Sequence, residues 1–541
     1  MIPRTDTAAA RFKQRLTKNP DYRGGIYSVN PDTGEIEDFA FMVKFAEGGD
    51  RMAVVAELID IVESYDNLDI LVSGVPYVNH HFNSYMQADL YRNIPLVLLV
   101  VLVVFYYNFR SARGVLLPFF TLAMAEIWTF GLMGHLGYPI TTVGITLPPL
   151  LVAVGSSYSI HVLNQYYAEF SLIDPKRYKK SLQSIMSHIS FTVALAGLTT
   201  FAAFMTLLSS RVSAIQEWGV FSGIGIIFAV FISITLISAM LALMPHRYPS
   251  TLASRRGRKI TMVDRVLAVA AKGAVRHYRK VFMVVLAVIA VSVAGMLRLR
   301  VDTEFLHYFK PSDPVRASAI AMGEKFGGGW GFDIIIDSNE VDGVKSAQFL
   351  STVERVRRWL EAEKNADLNI GRTDAFSDFI KRMHMAMYSD DPAYYKIPES
   401  DLAIMDYLEI FSGEDSDSDG RVDAFEPFVD VDYQATNILV RLARKSSERI
   451  GTTEVSHIIK KTRGYLEANL PPAYDFQITG YPVINVKLAH YVVNGQMMGL
   501  LLSFGFVFIV IVALYRKLLA GPLALIDMGV TIIINFGIMG W

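Results

Sequence analysis

The chain has no cysteine among its 541 residues. That excludes disulfides, thiolate metal sites and cysteine nucleophiles together. Its start, Met1-Ile2-Pro3-Arg4-Thr5-Asp6, lacks the apolar core of a secretory leader. Neither sign of charge is in excess: 51 Lys and Arg stand against 52 Asp and Glu, which argues against a nucleic-acid binder. The run Gly327-Gly328-Gly329 lacks the Lys-Ser/Thr of a phosphate loop and leads into a strand pattern, so it reads as a turn. No nucleotide site is visible, and any active transport would need an ion gradient.

What the chain has in quantity is apolar residues. At 52% hydrophobic, with a mean hydropathy of +0.32, it is too apolar for a soluble protein and not apolar enough for a bare helix bundle. Eight apolar runs are candidate spans, at 93–109, 114–136, 140–163, 189–209, 217–244, 281–297, 494–514 and 518–541. Every second connection is basic. Arg110 and Arg113 follow the first run, Lys176, Arg177, Lys179 and Lys180 the third, and Arg516 and Lys517 the seventh. The linker 245–280 holds ten Lys and Arg against one acid, Asp264. These loops are expected in the cytoplasm, which places the soluble segments 1–90 and 300–490 on the opposite side. A crossing element upstream of the first segment is then expected. Within the linker, 262–280 sets Val263, Val266, Leu267 and Ala270 against Arg265, Lys272, Arg276 and Arg279. That pattern suits an amphipathic helix on the inner membrane surface, with a plain basic linker as the alternative.

A shift of 406 residues carries Gly74, Pro76 and Asn79 onto Gly480, Pro482 and Asn485. The same shift carries Arg110 onto Arg516 and Gly131-Leu132-Met133-Gly134 onto Gly537-Ile538-Met539-Gly540. Each copy runs from a soluble segment through an apolar helix and a short basic turn into a second apolar helix, the pattern of a duplicated transporter. The soluble part of the first copy reads as strand 39–45, helix 52–65 and strand 68–72, then a Gly-x-Pro turn. The second reads as strand 435–442, helix 455–470 and strand 474–479 before the same turn, with helix 314–326 and strand 332–337 ahead of it. Such units build helices on a small sheet.

Several segments resemble the resistance-nodulation-division (RND) superfamily, in its hydrophobe/amphiphile exporter and MMPL-like branch. They are Val301-Asp302-Thr303-Glu304-Phe305, Phe326-Gly327-Gly328, Thr436 to Leu442, Thr479-Gly480-Tyr481-Pro482, Gly131 to Gly134, and Gly155-Ser156-Ser157-Tyr158-Ser159-Ile160-His161. The resemblance implies a polytopic α-helical membrane protein with α+β periplasmic porter domains and a two-fold internal repeat. It implies twelve spans in two halves, so the chain is expected to be a fragment lacking the first span, most of the first porter domain and the last three spans, with a shortened paralogue as the alternative. The expected divisions are a porter remainder at 1–90, a five-helix sterol-sensing-like bundle at 91–245, the linker 246–280, a helix at 281–299, a second porter domain at 300–491 and two helices at 492–541. The bacterial inner membrane is the implied location, membrane lipids the surroundings, and a homo-oligomer or a periplasmic partner stays open.

The family's relay aspartate, typically in Gly-x-x-x-Asp-Tyr, is replaced here by Ser157, and a serine hydroxyl carries no proton at useful pH. Two ionisable candidates for ion coupling remain beside it. Glu126 lies mid-span at about the depth of Ser156 and Ser157, where a carboxylate costs roughly 2.5–3.5 kcal/mol to insert. The alternative is a structural carboxylate, protonated or paired with Ser or Thr. His161 lies one turn beyond Ser157 and can titrate near neutrality, or simply make a structural hydrogen bond. Asp527 reads as snorkelling or loop-facing, and Gly131, Gly134 and Gly155 as close helix packing.

Residues 415–426 fit a calcium loop of the EF-hand type, with Asp415, Asp417, Asp419, Asp423 and Glu426 as side-chain ligands and Arg421 offering its carbonyl. Stretch 399–411 is the expected entering helix, and Pro427 disfavours an exit helix. The alternatives are a structural calcium and an acidic turn. Two functions compete: gradient-driven export of lipids or other hydrophobic molecules, and a non-transporting, sterol-sensing-like receptor or assembly factor. A membrane enzyme, the third reading, has little support, because no nucleophile–base pair or metal cluster appears in the spans.

Overall fold

A computed structural model describes residues 6–18, 22–30, 32–43, 45, 50–65, 67–169, 177–244, 262–299, 301–328, 330–411, 413, 415, 422–443 and 450–541. In chain order the helices are α1 (Asp6–Lys18), α2 (Arg51–Glu63), α3 (Val75–Phe109), α4 (Ala112–His135), α5 (Leu147–Ala168), α6 (Tyr178–Met205), α7 (Ser213–Leu243), α8 (Met262–Arg276), α9 (Tyr278–Met296), α10 (Pro314–Phe326), α11 (Ala347–Glu361), α12 (Phe376–Met387), α13 (Asp401–Ile410), α14 (Thr452–Asn469), α15 (Tyr481–Tyr515) and α16 (Ala520–Gly540). The strands are β1 (Tyr27–Val29), β2 (Ile36–Phe39), β3 (Gly331–Asp337), β4 (Ile370–Asp374), β5 (Ala435–Leu442) and β6 (Asp475–Thr479). Two compact units result, one of residues 1–83 with 301–489, the other of 84–300 with 490–541.

Eight helices, α3 to α7, α9, α15 and α16, are long and apolar enough to cross a membrane, so this is a multi-pass membrane protein. The first reaches much further than its apolar run, because Gly74 starts a helix where a turn is expected. Gly74 and Gly480 take φ of 135° and 109°, a region closed to other residues, and Pro76 and Pro482 fit the first helical turn where no N–H is needed. Both helices that follow are 35 residues long. Each ends in a left-handed arginine, Arg110 at φ 48° and Arg516 at φ 52°. After Arg110, Ser111 accepts from Gly114 N at 3.1 Å and caps α4, so the chain reverses within two residues.

In the membrane unit, α4 to α7 bury one apolar core around Leu122, Leu147, Leu151, Leu163, Ile226, Ile232 and Ile237. Glycines set the spacing. A Cβ on Gly155 would lie 2.9 Å from Leu122 Cδ2 and 3.3 Å from Ala229 Cβ, as close packing requires. Gly131 and Gly134 behave otherwise: neither meets another atom within 4 Å among the described residues. They lie on the exposed face of α4, where no described helix covers them. Their counterparts do pack, Gly537 against Ser292 and Gly540 against Gly295 of α9. Helix α8 carries an exposed apolar face, with Val266 and Val269 more than half exposed.

The other unit is built on an antiparallel sheet in the order β4-β5-β3-β6. Alternation in β3 and β5 turns Phe332, Ile334, Ile336, Ile438, Val440 and Leu442 onto one buried face. The core is completed by Phe349, Leu350 and Val353 of α11 and Val455, Ile458 and Leu466 of α14. Helix α10 starts at Pro314 under an Asp313 cap and ends at left-handed Gly327. The expected strands at 39–45 and 68–72 do not form: β2 stops at Phe39, and residues 68–72 join no ladder. Strands β5 and β6 exist because β3 pairs with both; the corresponding first-copy segments have no such partner among the described residues. A hairpin forms upstream instead. Asn30 Oδ1 accepts from Asp32 N at 2.9 Å, Gly34 takes φ 71°, and β1 pairs with β2.

Candidate functional site

The polar groups of the helix bundle lie in layers. Thr121 on α4, Ser159 on α5 and Ser233 on α7 form a chain of hydroxyls, with Oγ separations of 2.7 and 2.8 Å. Thr121 donates onward to Pro118 O, so each proton in the chain points the same way, from Ser233 towards α4. All three residues are buried. A second layer holds Thr129, which donates to Ala125 O at 2.7 Å, and Ser222, whose hydroxyl is buried without a partner among the described residues. Between the layers stands Glu126. Both its carboxylate oxygens are buried and neither has a hydrogen-bond partner among the described residues. A buried carboxylate without partners is costly in its charged form.

The three ion-coupling candidates are not joined. Ser157 donates its hydroxyl to Val154 O of its own helix, and Ser156 to Ala153 O. His161 is exposed on α5. No hydrogen bond or ion pair links Glu126, Ser157 and His161 among the described residues. The contacts of Thr121 with Ser159 and of Leu122 with Gly155 set Glu126 opposite residues of about 151–154, slightly displaced from the depth of Ser156 and Ser157. Asp527 is exposed. The hydroxyl chain escaped the sequence reading; its signal is a serine or threonine inside each of three separate apolar runs.

The unit of residues 1–83 with 301–489 holds two neighbouring clefts that share Trp330. One is lined by Gly74, Val75, Val78, Leu306, Trp330 and Tyr481, and is almost wholly apolar. The other adds Thr303, Thr452 and Asn485 to Trp330, Leu442 and Pro482. Asp302 supports the second wall by capping α14 from a distance: its Oδ1 accepts from Thr453 N at 3.0 Å and Thr452 Oγ1 at 3.3 Å. A Cβ on Gly451 would lie 2.1 Å from that oxygen, so a larger residue there would push the Asp302 carboxylate out of its cap. Lys325 ties the β1–β2 hairpin to this unit through Asp38 at 2.7 Å, and that bond holds the Asp38 carboxyl below its usual range.

Elsewhere in this unit Arg357 is buried among acids. It donates to Glu354 and Asp378 at 2.6 Å each, to Thr373 O at 2.7 Å and to Ser377 at 3.1 Å, while Lys381 pairs with the same two carboxylates. Burial opposes the charges of Glu354 and Asp378, but Arg357 and Lys381 outweigh it and hold both carboxyls below their usual range. This network fixes α11, β4 and α12 and is structural. Of the proposed calcium ligands, Asp417, Asp419 and Arg421 lie outside the described residues. Asp415, Asp423 and Glu426 are described, and the helix expected before them is α13. After Glu426 the chain turns, with Phe425 buried against Phe376, Phe379 and Phe411.

Residues 40–272 match the MMPL family. A membrane protein of Methanocaldococcus jannaschii is 21% identical over 207 residues, covering 36% of this chain and 52% of that protein. The multidrug resistance protein MdtC of Pantoea ananatis is 27% identical over 251 residues, 44% of this chain and 23% of MdtC. The hopanoid transporter HpnN of Burkholderia multivorans is 22% identical over 277 residues, 51% of this chain and 30% of HpnN. The matches thus span about half or less of these relatives' own lengths.

Proposed function

We propose that this chain, an MMPL-like member of the RND superfamily, exports lipids or other hydrophobic molecules from the bacterial inner membrane, driven by an ion gradient. The observation that carries the reading is the apolar cleft at Trp330. It presents Val75, Val78, Leu306 and Tyr481 with few polar groups, a lining that favours an apolar ligand over a sugar or an ion. The names of MdtC and HpnN, a multidrug resistance protein and a hopanoid transporter, support the same substrate class. The basic connections at Arg110, Arg113, Arg516 and Lys517 support a periplasmic soluble unit.

The equal lengths of α3 and α15 and the paired left-handed arginines support an internal duplication. Glu126 is the coupling group, with Ser157 and His161 in lesser places. A second reading keeps one observation in its favour: Ser157 replaces the relay aspartate, as suits a receptor or assembly factor that moves nothing. The test is photo-crosslinking with a photoactivatable phospholipid in membranes containing the protein. Adducts are expected at residues 73–78, at Leu306 and at Trp330, with loss on Trp330→Ala. Adducts confined to the lipid-facing helices count against the cleft.

A further inference from the structure

We propose that α8 is a docking helix for the anionic phospholipid surface of the membrane, and that it lies on that surface only when acidic headgroups are present. The proposal stands apart from export and from ion coupling. Residues 265–280 hold five Lys and Arg and no acid. Within α8 these charges are ordered. At about 100° per residue, Arg265, Lys272 and Arg276 fall within about 40° of one another, in a stripe about 16 Å long. Val266, Val269, Ala270, Gly273 and Ala274 fill the neighbouring arc. The cations therefore border the apolar arc instead of opposing it. Long side chains at such a border reach the headgroups while the helix sinks onto its apolar face.

The surface is open. Val266 and Val269 are 58% and 67% exposed, and Arg265, Lys272 and Arg276 are exposed beside them. Among the described residues no acid pairs with any of the three cations. The chain itself holds the helix at the bilayer. Only His277, at φ −119° and ψ 34°, separates α8 from α9, a helix long and apolar enough to cross a membrane. Exposed apolar side chains of α9 begin at Val281, so the arc of α8 opens where the lipid-facing surface of a span starts. Between them Tyr278 is exposed, and Arg279 Nε donates to its hydroxyl at 3.1 Å, an aromatic and a cation suited to the headgroup level. Counting crossings through α3 to α7, α9 and α15 puts α8 on the same side as the basic turns at Arg110 and Arg516.

Acidic lipid suits this surface better than an acidic protein. Aromatic anchors carry most protein interfaces. Helix α8 has no aromatic residue. Its arc of small side chains also grips a neutral bilayer weakly, because interfacial binding scales with buried apolar area. The cations then decide the outcome, each strengthening binding to an acidic bilayer about fivefold.

The test uses the whole protein in liposomes. Because the chain lacks cysteine, Val266→Cys and Ala268→Cys each give a single site for a nitroxide label, one on the apolar arc and one away from it. Relaxation of the label by oxygen, which concentrates in lipid, is compared with relaxation by a water-soluble nickel chelate. In phosphatidylcholine mixed with phosphatidylglycerol, the label at position 266 is expected to meet oxygen and the label at 268 to meet nickel. In phosphatidylcholine alone, or in high salt, the label at 266 is expected to turn to nickel. Lys272→Gln with Arg276→Gln should lower the ratio of docked to free helix in acidic liposomes roughly 30-fold, with thermal unfolding unchanged, while Lys272→Arg preserves it. Equal oxygen exposure at 266 in neutral and acidic liposomes overturns the role of headgroup charge. Nickel exposure there in every bilayer overturns docking and leaves a plain basic linker. Shielding from both reagents means that protein covers the arc, and overturns the proposal as well. None of these readouts depends on transport.

Discussion

Replacing Arg357 by methionine is the perturbation whose size the structure fixes best. Methionine keeps much of the volume and removes every bond of the guanidinium, to Glu354, Asp378, Ser377 and both oxygens of Thr373. Two buried carboxylates then face one cation, Lys381. Stripping one partner from a buried ionic cluster costs about 3–5 kcal/mol. For a unit of this size that lowers the unfolding temperature by on the order of 10 °C. The assay is thermal unfolding in detergent, followed through the fluorescence of Trp330 and Trp359.

The pH dependence supplies a second reading of the same variant. Glu354 and Asp378 have folded pKa values below their unfolded ones, so the stability they contribute is present above an unfolded value of about 4 and is lost as pH falls through the folded one. In Arg357→Met these carboxyls lose that stabilisation and take up protons readily as pH falls. The gap between wild type and variant should therefore close in acid. A variant within about 2 °C of wild type at neutral pH, or a gap that widens in acid, refutes the reasoning.

Three further outcomes follow from single contacts. Gly155→Val overpacks α4 against α5 and should cost about 1–3 kcal/mol, whereas Gly131→Val, with open space around it, should change stability by less than about 0.5 kcal/mol; equal effects would mean the helix packing is wrong. Asp302→Ala removes the distant cap of α14 and should cost about 1 kcal/mol, seen as faster amide exchange at Thr452 and Thr453; unchanged exchange refutes the cap. Calcium on the order of 10⁻³ M should raise the unfolding temperature, and Asp415→Ala with Glu426→Ala should abolish the rise; no rise in wild type removes calcium from the account.

The membrane helices were legible because each is a long apolar run, and the elements α10, β3, β5 and β6 because their periodicity is clean and bounded by Gly, Pro or Asp. Helix α11, strand β4 and helix α12 were not, since their buried faces carry Glu354, Arg357, Asp378 and Lys381, which read as surface charges until paired. The first-copy strands failed because alternation is only half of a strand; the other half is a neighbour to bond. In the bundle, Glu126 stood out as a charge in an apolar run. Ser159 did not, because a helix hides a hydroxyl as easily by bonding it to its own backbone, as Ser157 does, as by bonding it across to Thr121. Gly131 and Gly134 show the same limit: glycine permits close packing, and only the neighbour decides whether it occurs.

Export of a hydrophobic molecule on an ion gradient is tested most directly in proteoliposomes containing this protein. A fluorescent phospholipid is loaded with the protein, a proton gradient is imposed, and transfer of the lipid to acceptor vesicles is followed by dequenching. The account predicts transfer that collapses when the gradient is dissipated and is lost in Glu126→Gln and Trp330→Ala, with both variants folded. Transfer indifferent to the gradient, or unaltered in Glu126→Gln, would contradict it.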